Sequence, residues 1–170
     1  PRQAVVVSAM ARVTDQLLGL IETAAKRQAV DSGIETLRTR YAGTVRALLG
    51  EQGAAPVLEA FEHDLKDIES VLKALSLVRA ASHRSRDLVS GFGELWSARL
   101  LSAFLRSQTD VEVQLVDARD VLVVDPGEMG PIVVWEQSRM RNSSRSCWEA
   151  HRPGWSRNDE VGVLFRVLEF

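Results

Sequence analysis

The chain has 170 residues, of which 45% are hydrophobic and 26% charged, as expected for about one globular domain with its own core. The formal net charge is -2, so no overall basic field would attract nucleic acid or an anionic membrane. A single cysteine, Cys147, excludes an internal disulfide and fits a reducing compartment such as the cytoplasm. We expect no signal peptide and no membrane partner, since no apolar run approaches the roughly 20 residues that span a bilayer.

The first elements predicted are a strand and a helix. Residues 4–7 form a short β-branched run that suits a buried strand. A helical period follows, in which apolar residues recur three or four positions apart on one face: Val13, Leu17, Ile21 and Ala24. Thr14 and Asp15 stand where this helix should begin, and both suit a cap region.

A second helix is predicted to run from Ser32 to Gly50. Ser32 and Glu35 have the spacing of a capping box, and Gly50 suits the end of a helix. The apolar stripe predicted for its buried face is Ile34, Leu37, Tyr41, Val45 and Leu48.

A third helix is predicted to begin near Pro56, which is tolerated in a first turn. Its apolar residues alternate by three and four, as in a heptad seam: Leu58, Phe61, Leu65, Ile68, Leu72 and Leu75. Two interpretations follow, a coiled-coil helix that self-associates or a long helix packed on its own domain. We favour the second, because so few heptads rarely suffice for a coiled coil.

The rest of the chain mixes one helix with short strands. A helical turn is expected at 84–88, Gly91 and Gly93 should interrupt it, and a helix is expected to begin at Glu94. Its apolar side is Leu95, Ala98, Leu101 and Leu105. Strands are predicted at 111–116 and 121–124, with a polar corner at 117–120 between them. A loop is predicted at 126–130, and 132–135 is a last apolar run. The order of elements predicts an α/β layered domain.

The segment from residue 142 onwards differs in composition. It combines arginines and serines with Cys147, Trp148 and Trp155, and it has no regular period before residues 161–170. Basic residues among aromatic ones can bind nucleic acid. We favour a disordered or non-native segment instead, and we expect no nucleic-acid partner.

Two places could carry chemistry. Residues 5–15 form a strand, a loop and a helix start, where free backbone amides can bind an anion and Thr14 could add a hydroxyl; a plain helix cap explains them equally well. Residues 91–96 resemble a dinucleotide loop, but Trp96 occupies the place of the third glycine. What remains there is Glu94, which could bind an ammonium group or could simply stabilise a helix start.

No metal site and no catalytic nucleophile are predicted. His63, His83 and His151 share no ligand spacing with one another or with Cys147. No partner for nucleophilic catalysis by Cys147 is evident in the sequence.

The candidate segments at residues 5–15 and 91–96 occur together in an order that resembles the aspartate kinases. The segments VVVSAMARVTDQLLGLI, SGFGELWSARLLSAFL and VQLVDARDVLVVD resemble the substrate-side strand–loop–helix, the second substrate-binding helix and the strand–turn–strand of that family. The run from residue 68 to 101, with GELWSA, is similar to the bifunctional aspartate kinase–homoserine dehydrogenases. The resemblance covers roughly residues 3–140.

The resemblance implies a partial amino-acid kinase fold: a helix-rich piece of an α/β domain whose mostly parallel sheet lies between helical layers. It implies phosphorylation of the side-chain carboxylate of L-aspartate by ATP with Mg, towards lysine, threonine, methionine and isoleucine. Thr14 and Glu94 match the aspartate-contacting positions, Ser8 is a weaker candidate, and Arg99 is expected to be structural. A homo-oligomer is an option, and the compartment is the cytoplasm, or a plastid if the source is plant-like.

The departures from the family pattern limit this expectation. The family's Lys-Phe-Gly-Gly-Thr-Ser segment, its substrate-binding arginine and its nucleotide loops have no match here. We therefore divide the chain into a partial catalytic domain, 1–141, with the aspartate-side lobe, and a divergent segment, 142–170. We expect the chain to have no catalytic residue, to bind no cofactor well and to be inactive alone. The alternative is a non-catalytic helical module that self-associates through the seam at 58–75.

Overall fold

The computed structural model describes residues 3–110, 112–125, 132–144 and 160–165. Within them the structure has five helices and five strands. In order they are β1 (Gln3–Val7), α1 (Val13–Ala25), α2 (Asp31–Val78), α3 (His83–Gln108), β2 (Glu112–Asp117), α4 (Ala118–Val121), β3 (Val124–Asp125), β4 (Ile132–Val133), α5 (Trp135–Ser144) and β5 (Glu160–Phe165). None of the helices in these ranges is both long and apolar enough to cross a membrane.

The first strand and helix lie where the sequence predicts them, but β1 is not the buried strand expected, because Val6 is 59% exposed. The four residues of the predicted face of α1 are all buried: Val13, Leu17, Ile21 and Ala24. The cap differs, because the residue before the helix is Arg12 and no side chain caps it. Thr14 is therefore the second residue of α1 rather than its cap.

Gly50 divides α2 into two helical segments. Its φ of 67° and ψ of 176° are not helical, and glycine adopts such angles at little cost. The segments fold back on each other, since Arg38 Nε donates to Glu62 Oε1 at 2.9 Å and the rings of Tyr41 and Phe61 stack at 4.2 Å. The charge-assisted hydrogen bonds that Arg38 donates to the carboxylates of Glu62 and Glu35 raise the pKa of Arg38.

Three details predicted for these two helices were wrong. The first segment begins at Asp31, with Val30 and not Ser32 at the cap position and no side-chain cap. Leu48, assigned to the buried stripe, is 43% exposed. The second segment begins before Pro56, which lies inside the helix.

The heptad seam is buried within the chain. Five of its six residues are in the core (Phe61, Leu65, Ile68, Leu72 and Leu75), and Leu58 packs against them partly buried. The same core includes apolar residues of α1 and α3. The structure therefore agrees with the interpretation of a long helix packed on its own domain. Self-association through the seam would require these residues to leave the core.

α3 is a single helix that includes the glycines. It begins at His83 with Ser82 as its cap, whose Oγ accepts a hydrogen bond from Ser85 N at 3.1 Å. Gly91 and Gly93 lie buried in its interior, so the prediction of a helix start at Glu94 was wrong. Packing overrides the low helix propensity of glycine here, because a Cβ at Gly93 would press on Ala9 and Val13 at 3.1 Å.

α3 covers one face of a small parallel sheet. The strand order is β1-β5-β2, and β5 pairs in parallel with both neighbours. The predicted apolar side of α3, which includes Leu95, Leu101 and Leu105, packs with Val7, Val113 and Leu115. β3 and β4 form a separate antiparallel pair. The described part is helix-rich with few strands, and the wider sheet between helical layers stays a prediction.

One predicted strand differs from the structure. Of residues 121–124, assigned to a strand, Val121 ends α4 and only Val124 belongs to β3. The cause is Asp117, whose carboxylate accepts a hydrogen bond from Arg119 N at 2.9 Å and starts a helical turn instead. The predicted loop at 126–130 lies outside the described residues.

The divergent segment is described only in part. Residues 142–144 end α5, and β5 forms the middle strand of the parallel sheet. Those six strand residues have regular structure, unlike the disorder expected for the segment as a whole. Cys147, Trp148, His151 and Trp155 lie outside the described residues. The division at residue 142 stays a prediction.

A buried carboxylate joins α2 to α3. Asp64 Oδ2 accepts a hydrogen bond from Trp96 Nε1 at 2.9 Å and another from Arg99 Nη1. Tyr41 OH donates to the backbone oxygen of Trp96 at 3.1 Å, and the Trp96 ring meets Phe61 edge-on at 4.6 Å. Arg99 thus has the structural role expected from the sequence.

We expect Asp64→Ala to lower the free energy of unfolding by roughly 3 kcal/mol, because it leaves the Arg99 charge and the Trp96 N–H without their buried partner. Urea unfolding measures the change. Asp67→Ala is the matched control, since Asp67 lies on the same helix but is exposed and should change the value by less than about 0.5 kcal/mol. Equal effects of the two substitutions would contradict a structural role for Asp64.

Burial raises the pKa of Tyr41 above its ordinary value. Folding therefore favours the neutral phenol: its contribution to stability is fully present below about pH 10, the pKa in the unfolded chain, and is lost as the pH rises towards the higher folded-state pKa. Tyr41 is the chain's only tyrosine, so ultraviolet absorbance reports its ionisation directly. We expect tyrosinate to form at higher pH in the folded chain than in the urea-unfolded chain, and coincident titrations would contradict its burial.

Candidate functional site

A tight turn connects β1 to α1. Ser8 follows the strand and is exposed, and Val13 N donates to Met10 O at 3.0 Å across the turn. Arg12, within the turn, has φ 64° and ψ 0°. This left-handed conformation costs a residue with a Cβ roughly 1 kcal/mol or more, so the surrounding contacts must hold it.

Thr14 lies at the start of α1, directly after this turn. It is half-buried, and the first backbone bond that closes the helix runs from Gln16 N to Arg12 O at 3.0 Å. Amides in the first turn of a helix have no acceptor within the helix, and the helix dipole adds positive potential there. This end of α1 can therefore receive a carboxylate, with the Thr14 hydroxyl as a further donor.

Glu94 is a buried carboxylate in the interior of α3. It is only 7% exposed, and it is far from either helix end, so the helix dipole does not explain it. A carboxylate here can accept hydrogen bonds from a bound ammonium group.

Gly93 brings the two candidate segments together. A Cβ built on Gly93 would lie 3.1 Å from Ala9 Cβ and 3.1 Å from Val13 Cγ1. The turn after β1 and the start of α1 therefore pack directly on the backbone of α3, one residue from Glu94. The structure thus joins the segments that carry Ser8, Thr14 and Glu94, although they are far apart in sequence.

Sequence reasoning missed one residue that contacts this turn. Arg40, on the first segment of α2, donates from Nη2 to the backbone oxygen of Ala11 at 2.7 Å and from Nη1 to Gln16 Oε1 at 3.5 Å. No local sequence signal could have identified it, because the contact joins residues 29 positions apart. In the described part of the chain, no group of three or more His, Cys, Asp or Glu side chains could hold a metal ion.

Comparison with known proteins gives the class of the chain. No family model matches it. It is 38% identical to bifunctional aspartokinase/homoserine dehydrogenase 2 of Arabidopsis thaliana over 126 residues, covering 74% of this chain and 14% of that protein. It is 34% identical to the bifunctional aspartokinase/homoserine dehydrogenase of carrot (Daucus carota) over 152 residues, covering 86% of this chain and 16% of that protein. The aspartokinase of Schizosaccharomyces pombe is 30% identical over 103 residues.

The fold agrees with these sequence matches. E. coli aspartokinase III, solved with aspartate and ADP, superposes with a TM-score of 0.72 at 21% identity, over 95% of this chain and 33% of that chain. The chain is therefore aspartate kinase-like in sequence and in fold. Its relatives include the plant bifunctional aspartokinase/homoserine dehydrogenases, of whose length it spans 14 to 16%. Because a protein named only aspartokinase also matches, we assign the similarity to the kinase part.

We expect Gly93→Ala to lower stability or leave it unchanged, although alanine normally stabilises a helix by roughly 1 kcal/mol over glycine. The new methyl group would press on Ala9 and Val13. Gly43→Ala is the matched control, because Gly43 lies in α2 with nothing within 4 Å of an added Cβ. Thermal unfolding should show a gain for Gly43→Ala only. A similar gain for both would contradict the close packing at Gly93.

Proposed function

We propose that this chain is the aspartate-binding part of an aspartate kinase, which transfers the γ-phosphoryl group of ATP to the side-chain carboxylate of L-aspartate. The observation that carries the proposal is the contact at Gly93, which joins the turn after β1 to α3 beside Glu94. The relatives' names and the aspartate in the neighbouring structure support the same substrate.

The two sides of the junction suit the two ends of an amino acid. The start of α1 offers amide donors and the Thr14 hydroxyl for a carboxylate, while Glu94 offers acceptor oxygens for the α-ammonium group. Ser8, exposed at the end of β1, is a further donor at the mouth of the site. This division of charge would fix the orientation of a bound aspartate.

Among the described residues, the candidate site has no buried lysine to hold a transferred phosphoryl group. Phosphoryl transfer depends on cations placed around the moving group. The chain's lysines are all exposed: Lys66 and Lys73 lie on α2, and Lys26 follows α1, about 18 Å from Thr14 by helix rise. We propose that ATP and Mg are held by residues of the parent enzyme outside this chain, and that the chain alone is inactive.

The parent would have the amino-acid kinase fold, with a mostly parallel sheet between helical layers, of which β1, β5 and β2 with α3 are a part. Its reaction would open the route to lysine, threonine, methionine and isoleucine. Several relatives are named as chloroplastic, so we propose a plastid for a plant-like source and the cytoplasm otherwise. A homo-oligomeric parent is also proposed.

Isothermal titration of the 170-residue chain with L-aspartate tests the binding proposal. We expect saturable heat with the unaltered chain. In Glu94→Gln the affinity for aspartate should fall at least about thirtyfold, because the ligand's ammonium group loses its countercharge. Succinate, which lacks the ammonium group, should bind the unaltered chain weakly. Glu59→Gln is the matched control, since Glu59 is exposed on α2, and it should bind as the unaltered chain does.

The outcome against the proposal is a folded chain that gives no heat with aspartate, or one whose heat is unchanged by Glu94→Gln. Circular dichroism shows whether each variant is folded. Thr14→Val supplies a second variant at the other end of the ligand, and it should weaken aspartate and succinate alike.

Inactivity of the isolated chain is tested separately. With ATP, Mg and L-aspartate we expect no acyl phosphate, measured by trapping it as a hydroxamate. Turnover that the Glu94→Gln variant abolishes would contradict this expectation and would place a complete kinase site in the chain.

A further inference from the structure

We propose that Arg40 is a positioning residue that holds the turn between β1 and α1 in its aspartate-binding conformation. The inference rests on the proposed function, because it concerns the segment that carries Thr14. The observation behind it is the hydrogen bond from Arg40 Nη2 to the backbone oxygen of Ala11, at 2.7 Å.

The turn at residues 10–13 can exist in two forms. Met10 O accepts from Val13 N, so Ala11 and Arg12 are its central residues. The φ of 64° and ψ of 0° at Arg12 match the third position of a type II turn, which normally takes glycine. A type I turn has the same ends but the central peptide rotated by about half a turn, with a negative φ at that position. An arginine there favours type I on steric grounds.

Arg40 acts on the group that distinguishes the two forms. The oxygen of Ala11 belongs to the central peptide, and it points in opposite directions in the type I and type II turns. A guanidinium held on α2 can donate to it in only one of them. This charge-assisted bond offsets the cost of the left-handed conformation at Arg12. Arg40 Nη1 also lies 3.5 Å from Gln16 Oε1, in the next turn of α1, which directs the guanidinium towards the turn.

The neighbouring residue on α2 holds the other half of the site. Tyr41 donates to the backbone oxygen of Trp96 at 3.1 Å, two residues along α3 from Glu94. Arg40 and Tyr41 are consecutive, so one place on α2 fixes the segment of Thr14 and the segment of Glu94 relative to each other. Loss of the Arg40 contact would loosen the first while leaving the second in place.

Three variants separate positioning from charge. Arg40→Gln removes the guanidinium, and Arg40→Lys keeps the charge but not the planar pair of donors. Arg46→Gln is the matched control, because Arg46 is an exposed arginine on the same helix that pairs with exposed Glu51 at 3.5 Å. Thermal unfolding should change little in all three, since Arg40 is itself exposed.

The first readout needs no ligand. Amide hydrogen exchange of the 170-residue chain, followed by NMR, reports Val13 and Gln16, whose amides close the turn and the first helical bond. We expect both to exchange about tenfold faster in Arg40→Gln, with Arg40→Lys intermediate and Arg46→Gln unchanged. Unchanged exchange in Arg40→Gln would overturn the proposal.

The second readout is the titration with L-aspartate. We expect Arg40→Gln to weaken binding about tenfold, Arg40→Lys to weaken it less, and Arg46→Gln to leave it unchanged. Equal weakening by Arg40→Gln and Arg46→Gln would mean that only charge attracts the ligand, and would overturn a positioning role. If the unaltered chain binds no aspartate, the proposed function fails, and the exchange measurement alone decides whether Arg40 holds the turn.

Discussion

The carboxylate of Asp64 is the interaction on which the arrangement of the helices depends. It receives hydrogen bonds from Trp96 and Arg99, and so it fixes both the height and the rotation of α3 against α2. A buried charge of this kind contributes little net stability but penalises every alternative packing that leaves it without partners. With α3 fixed in this way, its two faces are assigned: one towards α1 and α2, the other towards the sheet.

That assignment places the candidate site. The face towards α1 carries Gly93, where the absence of a side chain lets the turn after β1 approach the helix backbone. Glu94 follows directly in the chain and is buried at 7% exposure. The energy that holds these groups together comes from the apolar core shared by α1, α2 and α3, so stability and the geometry of the candidate site depend on the same helices. A change that shifts α3 should therefore affect both.

Much of the fold could be predicted because it follows from local patterns. The helical period gave the buried face of α1, the break at Gly50 and the core positions of the seam from Phe61 to Leu75. Errors arose where packing opposed propensity, as at Gly91 and Gly93 inside α3. An error also arose at Leu48, the last residue of the apolar stripe predicted for the second helix, which is 43% exposed. For the site, the residue types and their order indicated Thr14 and Glu94 as candidates for an aspartate kinase, but not their surroundings.

The sequence by itself determined the secondary-structure periods, the kinship with aspartate kinases and the candidate residues, because each depends on neighbours along the chain. Only the tertiary structure decided that Glu94 is buried in a helix interior, that the seam faces inward, and that Arg40 and Asp64 contact the turn and α3. Those contacts join residues 29 and 35 positions apart. Their partners are set by how the helices pack, and no local pattern of residues encodes which side chains will meet across them.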